Sequence, residues 1–155
     1  MRQLLLAIVV FAASPALAAG RSATPPRPPP RLHQQGPPPA WVETQSRSVW
    51  LAFSSYCWSQ GVGSNHAAIC ADMIPPQSRT DLPVLSVARG RPLRFHLSFL
   101  PREVHLTLFR PRSFSHYVLQ PGRIVAWHAT GSGILSLEIR SASGSAAYLV
   151  RLNVR

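Results

Sequence analysis

Residues 93–108 read LRFHLSFLPREVHLTL, and this stretch decides the fold. Leu93, Phe95, Leu97 and Phe99 alternate with Arg94, His96 and Ser98. Beyond Pro101-Arg102, Val104, Leu106 and Leu108 alternate with His105 and Thr107. Side chains on a strand point to opposite faces in turn, so each run has one apolar and one polar face. Two such runs around a turn predict a hairpin with one buried and one wet side.

The same grammar continues on both sides. Towards the N-terminus, strands are predicted at 49–58, at 67–73 before Pro75-Pro76, and at 84–88 before the turn Arg89-Gly90-Arg91-Pro92. Towards the C-terminus they are predicted at 124–128, 134–140 and 147–154. Gly122, Gly131-Ser132-Gly133 and Ser143-Gly144-Ser145 supply the turns. No stretch holds a helical period. Strands separated by turns every eight to twelve positions mark a sandwich or barrel. The expected fold is all-β: an immunoglobulin-like antiparallel sandwich of seven or eight strands over residues 41–155.

The runs Ser55-Tyr56-Cys57-Trp58, Cys70-Ala71-Asp72 and Ala147-Tyr148-Leu149-Val150 carry a resemblance. Residues 45–155 resemble the secreted immunoglobulin-like domains of bacterial envelope proteins. The resemblance implies a fold and an extracytoplasmic address, but no activity. One departure is clear. Antibody-type domains have cysteines far apart that bridge two sheets, whereas Cys57 and Cys70 are close and Trp58 is adjacent to the first. A local clip is therefore expected.

Residues 1–18 read as a signal peptide. Arg2 supplies the positive end, residues 4–13 are continuously apolar, and Ala16-Leu17-Ala18 fits a small-x-small cleavage site. The apolar run is shorter than the roughly 20 residues a membrane span needs, so no span is expected after cleavage. Residues 19–40 form a Pro/Arg-rich spacer. Eight of the twenty residues from 21 to 40 are proline, a composition that predicts an extended or disordered segment. The expected location is periplasmic or secreted. There, the two cysteines of the chain read as a disulfide.

The chain has 16 basic and 5 acidic residues and a net charge of +11. Every basic residue is arginine, so a P-loop lysine, a Schiff-base lysine and a Lys–Asn isopeptide bond are excluded. Such a charge attracts polyanions. Arg89, Arg91, Arg94, Arg110 and Arg112 flank two turns, and arginine suits bidentate capture of phosphate or carboxylate. Trp50, Tyr56 and Trp58 are expected on one strand face, either as a sugar-stacking row or as a second packing layer. His96 and His105 are expected side by side on the wet face of the hairpin, as a zinc or copper pair lacking a third ligand, or as a solvated pair.

No motif specifies a reaction. Glu43, Asp72, Asp81, Glu103 and Glu138 are scattered, so the sequence places no acid–base pair. No G-x-S-x-G elbow occurs. No catalytic residue and no cofactor is implied. The expected function is a non-catalytic binding module for an anionic or glycan envelope component. The alternatives are a structural or chaperone-like subunit that binds a protein by strand addition, and a histidine-based metal protein. Nucleic acid is not an expected partner.

Overall fold

The computed structural model describes residues 24–27, 36–60, 67–72 and 74–155. The predicted signal peptide and most of the predicted spacer lie outside the described residues. The described chain is all-β, as expected, and its eleven strands form two sheets packed as a sandwich. The strands are β1 (Trp41–Glu43), β2 (Ser48–Trp50), β3 (Ala52–Gln60), β4 (Ala67–Ala71), β5 (Val84–Val87), β6 (Pro92–His96), β7 (Glu103–Arg110), β8 (Ser113–Leu119), β9 (Ile124–His128), β10 (Gly133–Ser141) and β11 (Gly144–Val154).

The smaller sheet runs β2-β1-β6-β9, and the larger runs β4-β3-β11-β10-β7-β8. β5 lies parallel to the second half of β11, beyond the end of β3. The β1-β6-β9 and β11-β10-β7-β8 orders reproduce the A-B-E and G-F-C-C′ orders of an immunoglobulin sandwich. β2, β3, β4 and β5 are additions to that frame.

This topology corrects the hairpin predicted at 93–108. β6 pairs with β1 and β9, whereas β7 pairs with β10 and β8. Residues 97–102 cross from one sheet to the other. Alternation persists into the crossing because Leu97 and Pro101 remain buried along the way. The sequence pattern of a hairpin and that of a buried crossover are therefore the same.

The core fills the space between the sheets. Leu93 and Phe95 of β6 and Val125 and Trp127 of β9 face Val104, Leu106 and Leu108 of β7, Leu135, Leu137 and Ile139 of β10, and Tyr148, Val150 and Leu152 of β11. Tyr148 donates its hydroxyl hydrogen to the Pro38 carbonyl at 2.6 Å. Gly36, Pro37 and Ala40 are buried, so the packed unit includes the last five residues of the expected spacer.

The predicted strand at 49–58 is broken at Leu51 into β2 and β3, which belong to different sheets. A bulge against β11 then shifts the register between Tyr56–Ala146 and Phe53–Tyr148. The shift turns Phe53 and Tyr56 onto the same face. Both pack on the core, and Trp58 is buried against Phe99. The Cys57–Cys70 disulfide joins directly paired residues of β3 and β4. Gly144, at φ +135°, is required where β10 turns into β11, because a side chain there would collide with the Cys57 carbonyl.

A strap from Ile74 to Pro83 crosses the outer face of the larger sheet. Buried Arg79 holds it, donating to Asp81 (2.6 and 2.7 Å) and to the Phe53 carbonyl (3.1 Å). The Arg79 hydrogen bonds keep the Asp81 carboxyl below its ordinary pKa.

Candidate functional site

Antiparallel pairing brings the β1–β2, β5–β6, β7–β8 and β9–β10 turns, and the end of β11, to one end of the sandwich. Six arginines sit there: Arg47, Arg89, Arg91, Arg110, Arg112 and Arg155. Hydrogen bonds stitch the turns together. Arg89 N–H donates to the Arg155 carbonyl at 2.9 Å, and Gly90 N–H to the Ala129 carbonyl at 2.8 Å. The Arg89 guanidinium donates to the Thr130 carbonyl at 3.2 Å. The Arg110 guanidinium lies against Gly131, where a methyl group would meet it at 3.3 Å. Arg91 and Arg155 line a depression of about 400 Å3 with Thr44, Gln45 and Ser46.

Among the described residues, none of these six arginines is ion-paired. The acid beside this end, Glu43, instead faces Arg94 at 4.0 Å and His96 at 3.1 Å. That carboxylate is within ion-pair range of His96 Nε2, but its direction falls short of a hydrogen bond. The His96 ring stacks flat on Trp41, with centroids 3.7 Å apart. The structure therefore joins Arg89 and Arg91 with Arg110 and Arg112, adds Arg47 and Arg155, and sets Arg94 apart on the β6 face.

The three aromatic residues do not form one row. Trp58 is core, and Tyr56 packs against the core. Half-buried Trp50 is in the smaller sheet, and its Nε1 donates to the Pro26 carbonyl at 2.8 Å. The sequence missed this because neither the break at Leu51 nor the one-residue bulge between Phe53 and Tyr56 shows in an alternation pattern.

The histidine pair needs a second correction. His96 and His105 lie in different sheets. His105 instead meets His116 of β8, with Nδ1 3.2 Å from Nε2. β8 was not among the predicted strands, although Phe114, His116 and Val118 alternate with Ser115 and Tyr117 directly after the Pro111-Arg112 turn. That alternation was the available signal. Around the pair, Glu103, Glu138, Asp72, Ser54 and Ser136 line an open groove of about 890 Å3 on the outer face of the larger sheet. Three of the five acidic residues of the chain thus share one groove.

No family model, curated protein or solved structure matches the chain. Among the described residues, no helix is long and apolar enough to cross a membrane.

Proposed function

We propose that the domain is a non-catalytic binding module of the periplasm or cell exterior, and that its arginine-rich end holds an anionic cell-envelope polymer or glycan. One observation carries this reading. Four chain segments deliver six arginines to one end of the sandwich, and among the described residues none of the six has a carboxylate partner. Loop ends are where sandwich domains commonly bind, and a guanidinium recognises phosphate or carboxylate bidentately. The disulfide supports an oxidising compartment.

The test is co-sedimentation of the disulfide-intact chain with envelope fractions at low and high salt. Exposed charge pairs weaken with ionic strength. Pelleting at low salt should therefore vanish at high salt. Arg89→Gln/Arg91→Gln should weaken it about tenfold, at roughly 0.5–1 kcal/mol per lost contact. Absence of pelleting at both salts overturns the reading.

A second reading rests on β8, an edge strand that exposes Phe114 and Val118. Such an edge can accept a partner strand. Pelleting that resists salt and is abolished by Val118→Lys would favour it.

A further inference from the structure

On the outer face of the larger sheet, the two imidazoles of β7 and β8 face each other in a way the arginine-rich end does not explain. We infer that His105 and His116 form the protein half of a site for a divalent first-row transition-metal ion. The inference is independent of the proposed function.

The facing atoms are His105 Nδ1 and His116 Nε2, 3.2 Å apart. Two nitrogens about 2.0–2.1 Å from a tetrahedral ion stand roughly 3.3–3.4 Å from each other. The pair is thus already at the spacing that one ion requires. The far nitrogens complete the pattern. His116 Nδ1 lies 3.1 Å from Thr107 Oγ1. His105 Nε2 lies 3.8 Å from Glu103 Oε2, which the Arg140 guanidinium approaches at 3.5 Å. When the facing nitrogens give their lone pairs to a metal, the ring hydrogens fall on His105 Nε2 and His116 Nδ1. Those are the two positions that look onto oxygen. A carboxylate or hydroxyl behind each ligating imidazole fixes its tautomer and raises its basicity.

The third donor is Glu138. It sits directly opposite His105 in the β7–β10 register, where paired Cβ atoms are about 4.5–5.5 Å apart. It is exposed, and among the described residues no hydrogen bond or ion pair holds it. Among the described residues no three donors are already grouped for a metal, so Glu138 must turn inward and solvent must complete the shell. Two imidazoles and one carboxylate favour zinc, nickel or copper over calcium or magnesium, with Cu2+ tightest.

The full chain, disulfide intact, would be titrated with Zn2+ and with Cu2+ against a competing chelator. The expected result is one equivalent of either ion and none of Ca2+. His105→Gln and His116→Gln should each weaken binding at least tenfold. Thr107→Val, which keeps both ligating nitrogens, should weaken it about tenfold. His128→Gln, on the exposed end of β9, should change nothing. Cu2+ electron paramagnetic resonance adds a direct readout, with coupling to two nitrogens in the wild-type chain and to one in His116→Gln. The inference is overturned by binding in His116→Gln equal to wild type, by no stoichiometric binding, or by equal losses in His116→Gln and His128→Gln.

Discussion

Tyr148 is the largest fully buried side chain, and its phenol sits where charge is least welcome. Burial pushes its pKa above the ordinary 10.0. The folded chain therefore keeps a proton that the unfolded chain releases in alkaline solution. The resulting stability is fully present below pH 10 and is lost as pH rises towards the folded pKa. The slope for one such group approaches about 1.4 kcal/mol per pH unit. Tyr148→Phe should flatten this alkaline slope in urea titrations run from pH 9 to 12. It should also cost about 0.5–1.5 kcal/mol at neutral pH, because the bond to Pro38 is lost. An unchanged slope would mean that the phenol does not control alkaline stability. That Tyr148 belongs to the core was legible from the alternation of Tyr148, Val150, Leu152 and Val154. Its partner was not, because nothing in a proline-rich run says that one of its carbonyls will be buried 110 residues away.

The β3–β4 pair shows what a disulfide does for a peripheral element. Among the described residues β4 pairs only with β3, and most of its side chains are exposed. Little apolar burial holds it, so covalent linkage to β3 supplies what packing does not. Closing a loop of this size is worth roughly 3 kcal/mol by loop entropy. That figure is an upper bound on the global effect here, because β4 can detach while β3 stays paired to β11. Cys57→Ser/Cys70→Ser should raise amide exchange across 67–71 and leave β10 and β11 protected. Its urea midpoint should fall by less than the loop-entropy value implies. Collapse of protection in β10 and β11 would instead make the disulfide essential to the sandwich. The local clip was legible in the cysteine spacing. The strand additions that it serves were not, since β2 and β3 read as one continuous run although the strand breaks at Leu51.

For the whole molecule, the question is whether charge acts by amount or by place. The net charge of +11 was visible in composition, and so were the strands that form the core. Which turns meet was not visible, because the order of strands is fixed by pairings between distant residues. Arg91 and Arg155 come to line one depression with Thr44, Gln45 and Ser46 only when β1, β6 and β11 are placed in their sheets. A binding end and a diffuse positive field make different predictions. Arg102 and Arg123 lie on exposed turns at the opposite end of the sandwich, where the Arg102 N–H donates to the Arg140 carbonyl and the Arg123 carbonyl accepts from the Leu97 N–H. Arg102→Gln/Arg123→Gln removes the same charge as Arg89→Gln/Arg91→Gln. If the long-range field drove association, the two double variants would lose envelope binding equally. If the arginine-rich end holds the polymer, contact range decides, since screening at 0.15 M salt limits exposed charges to about 8 Å. The Arg102/Arg123 variant should then sediment with the envelope at near wild-type affinity, while the Arg89/Arg91 variant loses about tenfold.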